Sequence, residues 1–406
     1  MSLTAYRKLS QIVTLNGAYQ KNGRLLKPDD LGIISNASVV FDKEKILWVG
    51  PDSDYPEEFK NIISHDLIGK TLLPEIVDSH THLIFGGNRS KEYTMRLNGA
   101  TYEEIAAAGG GILNTMKGTN EIKGQELFDQ CIERIERIHS YGVGTIEIKS
   151  GYGLNLDKEY ELTTLIDNLK KYFRPRVKIF NTFMAAHAVP KNFPDSKAYM
   201  DQVVLPLFEK LAPLKMIDAV DIFHEKGYFT NEDVEKLFEA AKRHGIPRKI
   251  HADEFGDNKG AILACESEAL SCDHLLATGE DGILALSKSD TVATLLTGTG
   301  FFLGKKQADG RKLLDAGAKV AIASDYNPGS CHCDNILLVA ALAAPQYKMN
   351  IAELWAAITL NAAHALGLKN QGAIVQNLAP RFSLFDVETS DLITYNWGRN
   401  FSMKLP

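Results

Sequence analysis

Long apolar runs, cysteine and an excess of positive charge are what this 406-residue sequence has least of. No apolar run approaches the roughly 18–20 residues of a membrane-spanning helix, which argues against a membrane protein. Lysine and arginine number 45 against 51 aspartates and glutamates, so the net charge is −6 and nothing pulls the whole chain toward nucleic acid or anionic lipid. The content of 45% apolar and 24% charged residues excludes a disordered chain.

Secretion signals and nucleotide-binding loops are also missing. Residues 1–20 lack a basic start followed by an apolar stretch and a small-residue cleavage site. The five cysteines are odd in number and scattered, so we expect reduced thiols and a cytoplasmic location. The triple glycine at 109–111 does not follow a predicted strand, so it is not a dinucleotide or phosphate loop.

Both ends of the chain carry short β-branched or aromatic runs separated by turn signals. These runs are Gln11–Leu15, Ala37–Phe41, Lys45–Val49, Ala373–Val375, Phe382–Phe385 and Leu392–Tyr395. They could form two unrelated flaps. We favour one small β domain, built from residues 1–72 and 366–406, with a larger domain inserted at 73–365.

The inserted region alternates short apolar runs with helical patterns, such as the predicted helices 126–139 and 232–244. The eight runs are Ile76–Ser79, Thr145–Lys149, Lys178–Ala185, Ala219–Phe223, Lys249–Ala252, Leu270–Asp273, Val292–Thr297 and Val320–Ala323. Eight strands with helices between them favour a (β/α)8 TIM barrel, and an open doubly wound sheet is the alternative.

Histidines gather where these predicted strands end. They are His80, His82, His187, His251 and His274, five of the eleven in the chain. Active sites of such barrels lie at the carboxyl ends of the strands. One histidine after a strand is more often structural, but five on one rim are hard to explain by structure alone. This distribution predicts an active site.

The pattern His80-x-His82 suits a catalytic metal. Side chains alternate along a strand, so both imidazoles point to one face and can bind one divalent ion. A third histidine and a carboxylate would leave one position open for water, whose pKa a metal lowers to about 7. Glu254 follows His251 by three residues and could move the proton of that water, although a solvated surface glutamate is the simpler alternative.

These residues resemble the amidohydrolase superfamily of metal-dependent hydrolases. The resemblance rests on His80-x-His82 after strand one, His251 and His274 after strands five and six, and Asp325 after strand eight. It implies a barrel with a small β-sandwich beside it. Many members hold two metals with a carboxylated lysine after strand four, where Lys226 is the nearby lysine.

Longer stretches are similar to one family within it, the imidazolonepropionases. They are Val77–Leu83, Gly87–Arg89, Gly99–Ile105, Glu147–Leu154, Thr182–Pro190, His251–Phe255, Asp273–Leu276 and Ser324–Ser330. The resemblance implies hydrolysis of 4-imidazolone-5-propanoate to N-formimidoyl-L-glutamate, in histidine degradation. It also implies a single metal, zinc or iron, and a homodimer. We therefore read Lys226 as a structural or surface residue.

The resemblance also implies roles for individual residues. His80, His82, His251 and Asp325 would hold the metal, Glu254 would carry the proton, and His274 would orient water or stabilise the oxyanion. The guanidinium fork of Arg89 suits the carboxylate tail of the substrate. The remaining substrate-binding candidates are Tyr102, Tyr152, His187, Glu254, Asn327, Gly329 and Ser330.

Several alternatives stay open. A deaminase of a heterocyclic base, like cytosine deaminase, would share the metal residues, but such a base has no tail for Arg89 and Tyr152 to bind. A catalytically dead barrel serving as an interaction protein is disfavoured because every metal-ligand candidate is present. The segment Cys331-His332-Cys333 has residue types for a second, soft metal, and Asn88 to Gly118 is a candidate lid.

Overall fold

A computed structural model describes residues 3–101, 104–105 and 108–406, so the substrate-wall candidate Tyr102 lies outside the described residues. The strands are β1 Thr4–Val13, β2 Ile33–Phe41, β3 Ile46–Pro51, β4 Ile63–Asp66, β5 Thr71–Pro74, β6 Ile76–Asp78, β7 Val143–Lys149, β8 Lys178–Ala186, β9 Ala219–His224, β10 Lys249–Ala252, β11 Ser271–His274, β12 Val292–Leu295, β13 Val320–Ile322, β14 Phe382–Phe385 and β15 Ser402–Met403. They form two sheets, one of eight strands and one of seven.

The helices mostly follow the barrel strands. They are α1 Asn16–Gln20, α2 Ser90–Leu97, α3 Ile112–Glu121, α4 Gly124–Ser140, α5 Leu156–Phe173, α6 Ser196–Tyr199, α7 Leu205–Leu211, α8 Asn231–Arg243, α9 Gly260–Glu266, α10 Glu280–Lys288, α11 Thr297–Leu303, α12 Gly310–Ala316, α13 Ile336–Gln346, α14 Ile351–Ala357, α15 Leu360–His364 and α16 Asp391–Tyr395. The predicted helices 126–139 and 232–244 correspond to α4 and α8. In α8, Thr230 and Asp233 form a reciprocal capping box that fixes the first turn.

The eight-stranded sheet is parallel and runs in sequence order from β6 to β13, as the barrel prediction requires. It closes on itself between its first and last strands. The amide of Asp325 donates to the carbonyl of His80, and the amide of His82 donates to the carbonyl of Tyr326, both at 3.0 Å. Asp78 accepts from the amide of Ser324 at 3.0 Å. The (β/α)8 barrel is thus confirmed.

The seven-stranded sheet joins both ends of the chain, in the order β15-β14-β5-β1-β2-β3 with β4 also on β1. A register shift between Tyr6 and Leu9 in β1 lets both side chains enter the small core of this sheet. Strand β5 pairs with β14, and a single residue, Glu75, separates it from the first barrel strand β6. The small β unit built from both termini is confirmed.

Two predicted strands are not strands. Residues 391–395 form the short helix α16, in which only Ile393 is buried. They do not pair with β14, because its edge is taken by β15. Residues 373–375 run as a loop that makes one amide contact with the sheet, from Ile374 to the carbonyl of Thr14 at 2.8 Å. Apolar β-branched residues here mark burial and not strand pairing.

Among the described residues, no helix has both the length and the apolar character to cross a membrane. All five cysteines are free thiols, and Cys131, Cys272 and Cys331 are buried. Burial raises the pKa of the Cys131 thiol to about 12, so this thiol stays protonated at neutral pH.

Candidate active site

Three histidines meet at the carboxyl end of the barrel. The Nε2 atom of His82 lies 3.2 Å from the Nε2 of His80 and 3.2 Å from that of His251. His80 and His82 follow β6, whereas His251 comes from β10, half a barrel away in the strand order. All three side chains are buried.

Two of the three histidines, His80 and His251, are oriented through their other ring nitrogen. Nδ1 of His80 lies 2.6 Å from Asp273 and Nδ1 of His251 lies 3.1 Å from Asp221. A nitrogen facing a carboxylate carries the proton, which leaves Nε2 as a bare acceptor. Burial holds the pKa of each of the three imidazoles well below its usual value. Neutral acceptors packed this closely fit a shared cation.

Asp325 supplies the carboxylate of this cluster. One oxygen, Oδ1, lies 3.5 Å from Nε2 of His80 and 3.8 Å from Nε2 of His82. The other oxygen accepts a hydrogen bond from the hydroxyl of Thr299, which holds the carboxylate in place. Burial raises the pKa of Asp325 to about 6, against the opposing influence of His274. Three imidazoles and one carboxylate are a donor set for zinc or iron.

Glu254 and His274 stand beside the cluster, with Oε2 of Glu254 3.7 Å from Nδ1 of His274. Burial raises the pKa of Glu254 to about 7, and nearby Lys305 partly opposes this. Glu225 at the end of β9 fixes the loop, because it accepts from the amide of Phe255 at 2.9 Å and from Asn258. The carboxyl of Glu254 is therefore placed and tuned to exchange protons near neutral pH.

A cavity of about 340 Å³ opens over these groups. It is lined by eleven of the residues predicted from sequence: His82, Arg89, Tyr152, His187, His251, Glu254, His274, Asp325, Asn327, Gly329 and Ser330. His80 does not line the cavity. A larger groove at the amino ends of β11, β12 and β13 contains none of these residues.

Arg89 is held by a residue that sequence reasoning missed. Its Nε and Nη2 atoms lie 2.9 Å and 2.8 Å from Oε2 of Glu92. Glu92 also accepts from the amide of Gly111 at 3.0 Å and from Asn114 at 2.9 Å. These contacts join Arg89 near the start of the candidate lid to Gly111 and Asn114 further along it, and movement of the lid stays a prediction. A Cβ atom on Gly329 would lie 1.8 Å from Nη1 of Arg89.

We expect Gly329→Ala to raise KM by about 10–100-fold. This is the effect of losing charge-assisted hydrogen bonds between Arg89 and a carboxylate of the substrate. The new methyl group must push aside the guanidinium of Arg89, which is the flexible end of its side chain. The melting temperature should therefore stay close to that of the wild type. Steady-state kinetics and thermal unfolding check this. An unchanged KM would show that Gly329 does not govern substrate binding by Arg89.

Tyr152 and His187 form the wall next to His82. The imidazole of His187 stacks on that of His82 with 4.8 Å between ring centroids, and the Tyr152 ring lies 5.2 Å from His187. Nδ1 of His187 donates to the carbonyl of Gly151 at 3.1 Å, which leaves its Nε2 as an acceptor. This wall can bind a polar, flat ring.

Asn327 lines the cavity, and its side chain is also hydrogen-bonded to the loop that follows it. Its Oδ1 accepts from the amides of Gly329 and Ser330, both at 2.8 Å. Its Nδ2 donates to the carbonyl of Asp325 at 2.7 Å and to Ser330 Oγ at 2.8 Å. The side chain thus shapes the loop that carries Gly329 and Ser330 past Arg89.

The two candidates for a second metal lie in different places: Lys226 is at the surface, and the segment Cys331-His332-Cys333 borders the site through Asn327, whose amide donates to the carbonyl of Cys331 at 2.9 Å. Nδ1 of His332 lies 3.4 Å from the carbonyl of Asn327, while Cys333 Sγ donates to a carbonyl at 3.8 Å. Within the described residues, the groups of His, Cys, Asp and Glu close enough to share an ion contain neither cysteine.

Several residues of the site were not predicted from sequence. They are Asp221 and Asp273 behind the histidines, Glu92 and Glu225 in the loops, Thr299 on Asp325, and Arg96, Phe223, Phe255 and Lys305 in the cavity wall. A usable signal existed for the two aspartates. Each stands in a predicted buried strand, where an acidic residue needs a partner.

Comparisons with known proteins agree with this geometry. The model of the Amidohydrolase family matches residues 71–402. Imidazolonepropionase of Geobacillus sp. (strain WCH70) is 39% identical over 400 residues, covering 97% of this chain and 94% of that protein. The corresponding protein of Paracoccus denitrificans (strain Pd 1222) is 38% identical over 374 residues, covering 91% and 92% of the two chains.

Solved structures share the fold at low sequence identity. The zinc complex of atrazine chlorohydrolase from Arthrobacter aurescens TC1 aligns with a TM-score of 0.70 at 16% identity, over 95% of this chain and 88% of that one. Guanine deaminase from C. acetobutylicum aligns with a TM-score of 0.67 at 15% identity, over 95% and 91%. Taken with the family match, these findings establish that the chain belongs to the amidohydrolase family, in the group of the imidazolonepropionases.

Proposed function

We propose that the chain hydrolyses 4-imidazolone-5-propanoate to N-formimidoyl-L-glutamate. The relatives named imidazolonepropionase, which match nearly the full chain, support this substrate. One structural observation carries the proposal. A single cavity is lined by His82, His251 and Glu254 and also by Arg89, so one small molecule with a reactive ring and a carboxylate tail can contact both ends.

We propose one divalent metal per chain, zinc or iron, held by His80, His82, His251 and Asp325. The convergence of three Nε2 atoms, two of them left bare by carboxylates on Nδ1, with one carboxylate supports this set. When bound, such a metal is a Lewis acid that acidifies water and polarises a carbonyl. The donor atoms suit either zinc or iron, and the availability of each metal can override intrinsic affinity.

The protein residues handle protons. Glu254 in its ionised form takes a proton from the attacking water while the water oxygen bonds to the ring carbonyl carbon. The same carboxyl then gives this proton to the ring nitrogen as the C–N bond breaks. One water molecule is consumed, and the carbonyl becomes a carboxylic acid that releases the second proton of water to solvent and ionises. His274, whose Nδ1 lies 3.7 Å from Oε2 of Glu254, would donate a hydrogen bond to the developing oxyanion.

Substrate binding is assigned to Arg89 and to the wall formed by Tyr152 and His187. Glu92 occupies Nε and Nη2 of Arg89, so the Nη1 side beside Gly329 would receive the carboxylate tail. Tyr152 and His187 would hold the ring, and Ser330 borders the tail. Tyr102, outside the described residues, stays a predicted part of this wall.

The direct test is a spectrophotometric assay with freshly prepared 4-imidazolone-5-propanoate and metal analysis of the same preparation. We expect loss of the substrate, formation of N-formimidoyl-L-glutamate and about one metal per chain. Ammonia released from cytosine or guanine, with imidazolone left intact, would instead assign a deaminase. Two metals per chain would contradict the proposed single site.

The pH dependence of kcat/KM should show an ascending limb with a pKa of about 7. Burial raises the pKa of Glu254 to about 7, and only its ionised form can accept a proton from water. The rate should therefore fall about tenfold per unit as the pH drops below about 7. Measuring kcat/KM from about pH 5 to about pH 9 tests this. If kcat/KM did not change with pH below about 7, Glu254 would not be the general base.

Three further proposals remain: a homodimer, which the resemblance implies, a cytoplasmic location, which the cysteine content suggests, and domain boundaries at residues 72/73 and 365/366, which the strand-like runs at both ends suggest. The change of sheet between β5 and β6 supports a first boundary close to the proposed one, at residue 75, because β5 as a whole belongs to the terminal sheet. Light scattering of the purified chain tests the dimer.

A further inference from the structure

Five charged side chains fill the barrel interior beneath the histidine cluster. They are Glu147 and Lys149 of β7, Asp221 of β9, Lys249 of β10 and Asp273 of β11. Each is completely buried, with 0% of its surface exposed. We call this set the charged layer. Barrel interiors are ordinarily filled by branched apolar residues, so two lysines and three carboxylates in this place need an explanation.

The two lysines bind all three carboxylates. Nζ of Lys149 lies 2.5 Å from Asp221 Oδ2 and 2.8 Å from Glu147 Oε2. Nζ of Lys249 lies 3.0 Å from the same Glu147 oxygen. Both ammonium groups also face Oδ2 of Asp273, at 3.7 Å and 3.8 Å. Glu147 thus bridges the lysines, and each aspartate has at least one cation beside it.

The two aspartates are the same residues that orient the histidines. Oδ2 of Asp273 contacts both lysines and Nδ1 of His80, and Asp221 contacts Lys149 through one oxygen and Nδ1 of His251 through the other. Each connection therefore runs from lysine through aspartate to imidazole. Along β10, Lys249 and His251 are two residues apart and point to the same face, which stacks the charged layer directly under the ligand candidates.

Stability alone does not account for such a layer. Moving charges out of water costs several kcal/mol per ion, and apolar replacements of a buried ion pair are often neutral or stabilising. Carboxylates that orient metal-binding histidines, in contrast, are worth about 10–100-fold in metal affinity. An aspartate can do this only if it keeps its position and its negative charge.

We propose that Lys149 and Lys249 are positioning residues for the metal centre. They hold Asp221 and Asp273 in place, so that His251 and His80 keep the proton on Nδ1 and present Nε2. This inference rests on the proposed metal site. Neither lysine touches the cavity, so their role is separate from substrate binding.

The experiment compares Lys149→Met with the wild type and with Lys319→Met. Lys319 is a matched control because it is also buried beside an aspartate, 2.9 Å from Asp290, but lies before β13 at the other end of the barrel. Zinc dissociation constants of metal-free protein are measured by competition with a chelator. We expect Lys149→Met to weaken zinc binding about 10–100-fold and Lys319→Met to leave it within about twofold.

The absorption spectrum of the cobalt-loaded protein supplies a readout that a general loss of stability would not change. We expect altered ligand-field bands in Lys149→Met and wild-type bands in Lys319→Met. Unchanged zinc affinity with unchanged cobalt bands would overturn the inference. Failure of the wild type to bind metal would instead overturn the proposed function, so the two failures are distinguishable.

A second variant covers the case in which Lys149→Met does not fold. Glu147→Gln combined with Lys149→Met removes one charge of each sign, and Glu147 contacts the lysines and Thr182 but neither imidazole. We expect this double variant to fold, by circular dichroism, and to bind zinc about 10–100-fold more weakly. Zinc affinity equal to that of the wild type, or failure of both variants to fold, would contradict the proposal. The lysines would then only stabilise the fold.

Discussion

Glu254→Gln should lower kcat by about 10²–10⁴-fold, the usual contribution of a positioned acid and base. Glutamine has nearly the same shape but can neither accept the proton of water nor return it to the ring nitrogen. The carboxyl is not among the residues proposed to hold the metal, so metal content should not change. KM should change little, because Arg89, Tyr152 and His187 still hold the substrate.

Steady-state kinetics with metal analysis of each preparation check this expectation. Glu239→Gln is the matched control, since Glu239 is exposed on α8, and it should behave like the wild type. The ascending limb of the pH profile should also disappear in the Glu254 variant. Wild-type turnover with a full complement of metal would show that another group moves the proton.

Removal of the metal is expected to abolish turnover, by more than about 10³-fold, and to lower the melting temperature. The first effect follows because neutral water is a poor nucleophile without a Lewis acid. The second follows because a ligand bound only by the folded chain stabilises it, by about 4 kcal/mol when its concentration is 1,000 times the dissociation constant. The imidazole nitrogens also repel one another without a cation, since Nε2 of His82 lies 3.2 Å from Nε2 of His80 and 3.2 Å from that of His251.

Dialysis against a chelator, followed by titration with zinc or ferrous iron, gives the measurement. Activity should return with one equivalent, and the metal giving the higher kcat/KM at that point would identify the better cofactor. Asp325→Ala should resist this reactivation, because it lacks the fourth ligand. Full activity in metal-free protein would refute a metal-dependent mechanism.

The barrel was predictable from sequence because its strands are buried on both faces and read as short apolar runs. Lys249–Ala252 was predicted with the observed bounds, and the others to within about two residues. The terminal sheet was harder. Its edge depends on contacts between distant segments, so the run at 392–395 has strand-like residues and still forms a helix.

The candidate site was predictable where the residue types and their spacing point to one chemical role. Examples are His80-x-His82 as metal ligands and the His251/Glu254 pair as ligand and proton carrier. Residues that act through another residue were not. Glu92 and Thr299 are recognisable only after the fold brings them to Arg89 and Asp325. The alternating charges of Glu147 and Lys149 in a buried strand gave a signal that sequence reasoning left unused.

The pairing of β5 with β14 has a consequence for synthesis on the ribosome. One edge of β5, Thr71–Pro74, stays unpaired until Phe382–Phe385 has been synthesised, more than 300 residues later. During that interval the barrel sequence emerges and can fold while an open strand edge remains available to other nascent chains. Pairing over such a distance also slows folding. Translation that stops before residue 382 would therefore release a chain prone to aggregate, whatever the state of its active site.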